Sequence, residues 1–140
     1  MTLATFPSAD VRYNGFDLVH PLAVKAFRSL QSELQGDYVR GDMPFEFRAF
    51  ETYRTPQRQT LVKEAGYSQA CMFRSAHQLG LAIDFVPWTD AKKWHWDIEM
   101  YWWSILKGKA IKHGLDVPLS WDKAHVEHPL WNRIRIAMWG

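Results

Sequence analysis

Cysteine is almost missing from this 140-residue chain. Cys71 alone can neither close an internal disulfide nor build a cysteine-based zinc finger, and it is read as an unreactive thiol. Long apolar runs are missing too. None approaches the ~18–20 residues that a bilayer crossing needs, and the aromatic-rich stretch from Trp94 to Leu106 is broken by Asp97 and Glu99. The opening residues, Met1 to Pro7, offer no basic n-region and no long apolar h-region. No secretory signal is therefore expected, and synthesis in the cytoplasm is. Charge of one sign is lacking: 17 Lys and Arg against 15 Asp and Glu leave +2, which gives no ground for a nucleic-acid partner. With no repeat, low-complexity tract or Gly/Ser linker, residues 1–140 are expected to form a single domain, with 1–16 as an extended arm.

What the chain does have is aromatic mass and imidazole: eight tryptophans and six histidines within an ordinary 47% hydrophobic content. Leu18 to Leu34 places Leu22, Val24, Ala26, Phe27, Leu30 and Leu34 at roughly helical spacing, with Pro21 in an early turn and Gly36 as the stop. Phe45 to Thr52 alternates as a strand, Phe45, Phe47 and Ala49 against Glu46, Arg48 and Phe50. Thr55 and Pro56 form a cap and first turn for a helix to about Ala65, stopped by Gly66. Leu81 to Val86 has strand length and composition, and Pro87 limits its continuation. Thr89 or Asp90 is expected to cap a helix running to His113 and ending at Gly114. Val117 to Val126 reads as a loop with a short strand, and the Ile134–Ile136 region as either strand or helix. The sum is α+β, a small sheet with helices packed against it.

Three segments carry chemistry. In Ser75 to Phe85, His77 and Asp84 lie seven apart around Gly80, with the carboxylate inside an apolar strand. Such burial costs several kcal/mol unless a cation or hydrogen bonds compensate. A metal ion would do so, and imidazole and carboxylate are ordinary zinc ligands; the plainer alternative is a buried hydrogen-bonded pair. Trp121 to Pro129 supplies Asp122, His125, Glu127 and His128, from which a third ligand and a general base are expected. His125 is the better ligand, and His128, off the face shared by His125 and Glu127, the weaker one. In Glu51 to Gln59, Arg54 ends a strand at a helix entry, where a guanidinium can reach an anionic group or an oxyanion, or else serve as a salt-bridge partner. His20, His95 and His113 read as structural. Trp88 and Trp121 flank the metal segments and could line a cleft, while Trp102 and Trp103 read as core. Lys92, Lys93, Lys107, Lys109 and Lys112 read as a solvated face.

SAHQLGLAIDF resembles the SxHxxGxAxDF segment of the zinc D-alanyl-D-alanine carboxypeptidases and L-alanyl-D-glutamate endopeptidases. TYRTPQRQ is similar to that family's YRSxxxQ segment and WDKAHVE to its late DxPHFE segment, in the same order. Ala124 stands where the endopeptidase branch has proline, and Val117 to Trp121 replaces a Gly-Gly-x-Trp stretch. The resemblance implies a hedgehog-type zinc fold and one Zn²⁺ held by His77, Asp84 and His125. It implies Asp122 as base, with Glu127 the alternative, and Arg54 on the substrate or its carbonyl. Ser75 is expected either to touch substrate or to cap a turn. The implied activity is hydrolysis of peptidoglycan stem peptides, endolysin-like endopeptidase cleavage ahead of carboxypeptidase or dipeptidase action. The implied setting is the cell wall, reached by release or phage delivery, with a monomer as the working form. A non-catalytic zinc-binding or virion module of the same fold is the competing expectation.

Overall fold

The computed structural model describes residues 12–66 and 75–139; Cys71 and most of the expected N-terminal arm lie outside them. The first helix, α1 (Val24–Val39), starts and ends later than the Leu18–Leu34 pattern predicts. Residues 16–23 turn instead, with Ala23 and Val24 N–H both donating to His20 O. Gly36 sits inside the helix, and the stop comes at Gly41, where φ is +83°. Burial of Phe27, Leu30 and Leu34 outweighs the ~1 kcal/mol that a helical glycine costs.

Strand β1 (Glu46–Glu51) and helix α2 (Pro56–Glu64) follow their sequence signals closely. Phe47 and Ala49 are buried while Arg48 is exposed. Thr55 caps α2 by accepting from Arg58 N–H. Strand β2 (Ala82–Trp88) overruns the expected limit at Pro87. Phe85 N–H donates to Ala124 O, so alternation aims the nitrogen of residue 87 to the same side, away from β1 and past the end of β3. The missing donor therefore breaks no bond to either strand.

The helix expected from Thr89 begins only at Met100: α3 (Met100–Lys112) ends at His113 and Gly114 as anticipated. Residues 89–99 instead fold back on β2. Thr89 N–H donates to Lys93 O, His95 N–H to Pro87 O, and Trp94 bridges to Trp88. Strand β3 (His125–Glu127) and helix α4 (Leu130–Trp139) complete the order and settle the C-terminal region as helical.

The three strands form an antiparallel sheet in the order β1-β2-β3. One face, with Phe47, Ala49, Ile83 and Phe85, shares a single hydrophobic cluster with Phe27, Leu30 and Leu34 of α1 and Trp103 and Leu106 of α3. Glu33 clamps α1 to the end of α3, receiving Lys109 Nζ at 3.0 Å, Lys112 Nζ at 2.6 Å and His113 Nε2 at 3.1 Å. Lys109 and Lys112 thus do more than solvate a helix face. The opposite face of the sheet carries Asp84, and a β-bulge between Ala49 and Glu51 changes the alternation there. Strict alternation would put Glu51 with Phe47 and Ala49 in the core. The register shift pairs it with Asp84 instead, on the other face. No helix among the described residues is long and apolar enough to cross a membrane.

Gly80 ties the segment before α1 to the sheet. Its φ is +67°, its carbonyl accepts from His20 N–H at 2.8 Å, and a Cβ there would lie 2.4 Å from Leu18 O. Gly66 has a similar φ of +84° but open space around the added carbon. Gly66→Ala should therefore cost about 1–2 kcal/mol, the left-handed backbone alone. Gly80→Ala should cost clearly more, because backbone atoms would have to move. Urea denaturation of the two variants measures the difference, and equal losses would contradict the packing described.

Candidate metal centre

His77, Asp84 and His125 come from three separate elements and meet on the Glu51 side of the sheet. His77 lies in a 3₁₀ turn (Ala76–Leu79) whose start is fixed by a capping box: Ser75 Oγ accepts from His77 N–H, and Gln78 Oε1 accepts from Ser75 N–H, each at 3.3 Å. Asp84 sits on β2 directly opposite His125 on β3. One donor atom from each of the three falls within 4.8 Å of the others, and all three residues are buried.

Outer hydrogen bonds determine which imidazole nitrogens face inward. His77 Nδ1 lies 2.8 Å from Thr52 O, a partner that can only accept, so Nδ1 donates to it and Nε2 is the nitrogen turned to Asp84 Oδ1 at 3.2 Å. His125 Nε2 lies 2.9 Å from Glu127 Oε1, which leaves Nδ1 3.5 Å from the same Asp84 oxygen. Two imidazole nitrogens and one carboxylate oxygen fit a zinc-type cation, with coordination positions left for water or substrate.

The carboxylate is held from its other side as well. Arg54, 7% exposed, donates from Nη2 to Asp84 Oδ2 at 3.3 Å, from Nε to Glu51 Oε1 at 2.9 Å and from Nη1 to Gln59 Oε1 at 3.1 Å. Glu51 also receives Arg58 Nε at 3.0 Å. Burial opposes the charge on Asp84, yet His77, His125 and Arg54 together hold its carboxyl well below the usual range. Burial likewise opposes protonation of His125, but Asp84 and Glu127 raise it to about 9. Asp122 moves the other way: burial first, then the Asp84 charge, raise its carboxyl above the ordinary value.

Beside these groups opens a cleft of about 700 Å³, lined by Phe50, Glu51, Arg54, Arg58, Asp84, Trp96, Trp121 and Asp122 among others. Arg54, Asp122 and Trp121 are thus brought together on the lining of one cleft. Glu127 is occupied with His125 Nε2, and Ser75 with its cap; neither lines the cleft. Trp88 does not line it either. It stacks edge-on against Trp94 at 4.9 Å, with Arg48 5.4 Å above its ring, in a different concavity. His128 Nδ1 accepts from Leu130 N–H at the start of α4 and takes no part. His95, expected within a helix, lies in the irregular segment before α3.

Glu51, Arg58, Phe50, Trp96 and the Thr52 carbonyl belong to the site but were not singled out from sequence. Glu51 and Arg58 sit inside the TYRTPQRQ neighbourhood, so proximity to that segment was their available signal. Trp96 had none, because its segment reads as helix.

No protein-family model matches the chain, and no curated protein matches it significantly. Solved structures do. The L-Ala D-Glu endopeptidase ChiX of Serratia marcescens aligns at a TM-score of 0.59 with 21% identity, over 89% of this chain and 94% of that one. The LD-carboxypeptidase LdcB, described for peptidoglycan recognition, aligns at 0.58 with 17% identity, over 85% of this chain and 64% of its own. A mutant of the vancomycin-resistance D,D-pentapeptidase VanY, solved with Zn(II), aligns at 0.53 with 18% identity, over 79% and 75%. The chain shares the fold of these peptidases.

Because His125 holds a proton up to about pH 9 in the free protein, a cation must displace it. Zinc titrations in buffers of different ionisation enthalpy should show about one proton released at pH 7. Apparent affinity should rise about tenfold per pH unit and level off above 9. Glu127→Gln should weaken zinc by about 10–100-fold in the same titration, and unchanged affinity would contradict its role in orienting His125.

Proposed function

We propose that this chain is a zinc-dependent peptidase that hydrolyses a peptide bond in peptidoglycan stem peptides, acting as an L-alanyl-D-glutamate endopeptidase. The observation that carries this reading is the convergence of His77, Asp84 and His125 beside Asp122 at the edge of an open cleft. The fold neighbour matched over nearly the full length of both chains is an endopeptidase of that specificity, which favours internal cleavage over removal of a terminal D-alanine.

A zinc ion held by His77, Asp84 and His125 would supply Lewis acidity for the scissile carbonyl and for water. Asp122 is assigned as the general base. Its raised carboxyl pKa brings it nearer the range in which one group can accept a proton from water and then give it to the leaving amine. Arg54 uses three of its five N–H groups on Glu51, Gln59 and Asp84, which leaves two for the substrate carbonyl as negative charge develops on it. The same pairing keeps Asp84 ionised. Ser75 serves indirectly by fixing the turn that presents His77. Phe50, Trp96 and Trp121 supply apolar walls against which an alanyl methyl can pack.

The described residues share one hydrophobic cluster, which supports reading the chain as one peptidase domain. In this reading it works as a monomer on the cell wall, delivered there by release or by a phage.

Asp122→Ala should retain zinc and lose about 10²–10⁴-fold in turnover, whereas His77→Ala or Asp84→Ala should lose metal and turnover together. Unimpaired hydrolysis in either ligand variant would end the assignment. Mass spectrometry of purified peptidoglycan treated with and without chelator should show new amino-terminal D-glutamate only without chelator. Released D-alanine would move the reading to a carboxypeptidase, and no product at all to a binding module.

A further inference from the structure

Three arginines gather at one wall of the metal cleft, and two of them take up the carboxylates there. Glu51 has both oxygens occupied, one by Arg54 Nε at 2.9 Å and the other by Arg58 Nε at 3.0 Å. Asp84 is shared between Arg54 and the two imidazoles. Arg12 is the third guanidinium. Its charge is coupled to Glu51 and Arg58, but it forms no ion pair among the described residues.

Arg12 is held in place by rings rather than by a carboxylate. Its guanidinium carbon stands 3.8 Å over the Phe50 ring and 5.4 Å over that of Trp94. Those two rings pack edge-on at 5.1 Å, and Phe50 meets Trp96 at 5.0 Å on the cleft lining. A guanidinium stacked in this way keeps its planar fork oriented before any ligand arrives. Its Nε is buried and has no hydrogen-bond partner among the described residues. Burial lowers the pKa of Arg12, Glu51 opposes that shift, and Arg58 adds to it. A buried donor without an acceptor is costly, and an arriving acceptor removes that cost.

The balance of charge and the shape of the donors define the ligand. Asp122 apart, three guanidiniums against Glu51 and Asp84 leave one positive charge over. Arg58 gives only Nε to Glu51, so its two terminal nitrogens remain for a ligand on the cleft lining. Two guanidiniums close enough to repel each other are best relieved by a planar monoanion, which is a carboxylate. Three linked ion pairs, from Arg58 through Glu51 and Arg54 to Asp84, separate this place from the metal ligands. That is a span of roughly two or three extended residues.

We propose that Arg12 and Arg58 form a carboxylate clamp, which selects peptides with a free carboxylate within about three residues of the scissile bond over their carboxamide counterparts. The clamp itself stands on the arginine geometry; that its ligand is a substrate rests on the peptidase reading. The test uses the zinc-loaded protein and synthetic stem peptides in which one carboxylate at a time is replaced by a carboxamide. At one position the carboxylate form should be cut with at least tenfold higher kcat/KM, mostly through KM. Arg12→Gln should bring that ratio to about one. Arg12→Lys, which keeps the charge but loses the fork, should retain a preference of about threefold. Both peptides meet the same preparation, so partial misfolding of a variant cancels in the ratio. A wild-type ratio near one at every position, or a ratio that survives Arg12→Gln, overturns the clamp.

Binding is read separately, by titrating the same peptides and following the indole N–H resonances of Trp94 and Trp96. The carboxylate form should bind at least tenfold more tightly, and Arg12→Gln should remove the difference. That preference without hydrolysis of either peptide upholds the clamp while refuting the peptidase reading. Hydrolysis of both forms at equal rates, with equal binding, upholds the peptidase reading while refuting the clamp.

Discussion

A carboxylate at the centre of a sheet has to be stabilised from every side, and Asp84 organises its surroundings accordingly. It lies on the central strand, among side chains that exclude water, and its two oxygens are treated differently. One faces the inner nitrogens of His77 and His125, and the other takes a guanidinium hydrogen of Arg54. An unpaired carboxylate there would cost several kcal/mol. The charge is met by His77, His125 and Arg54, and the donor set gathered around it is what makes a candidate cation site. Arg54 in turn needs Glu51 and Gln59, and Glu51 needs the bulge that brings it to the polar face. The polar network and the distortion of β1 are consequences of the same buried charge.

Much of this was legible in the sequence where local chemistry decides. Thr55 and Pro56 start a helix because a hydroxyl cap and a fixed φ suffice, and the alternation of Phe47, Arg48 and Ala49 sets a strand face. The apolar run around Asp84 marks both β2 and the charge that needs a partner. Legibility failed where tertiary contacts overrule spacing. Trp94, Ile98, Tyr101 and Trp102 have helical periodicity, yet residues 89–99 fold back because Trp94 gains more by bridging to Trp88. Pro87 looks like a strand terminator, but its nitrogen faces away from β1 and lies past the end of β3, so neither strand loses a bond. Glu51 was legible only as a neighbour of Arg54, because a bulge changes which face a position serves and no pattern of period two encodes one.

The histidines show the same division. His77 and His125 are defined by what holds their outer nitrogens, a main-chain carbonyl and a carboxylate, and only the second could be guessed from spacing. His20 and His128 accept backbone N–H groups at turns, and His113 completes the clamp on Glu33. Imidazole count says little; the identity of the second partner sorts candidate ligands from braces.

The carbonyl of Thr52 that orients His77 belongs to the main chain, and Thr52 is itself steadied by Tyr13 O and Gly15 O from the segment ahead of α1. A substitution at position 52 can remove the hydroxyl but never the imidazole's partner. Side-chain scanning would therefore score this residue by its anchoring to residues 13–15 and overlook its contact with His77. Only chemistry that alters the backbone itself, such as an ester in place of an amide, addresses this part of the centre, which makes it a constraint carried by chain path rather than by residue identity.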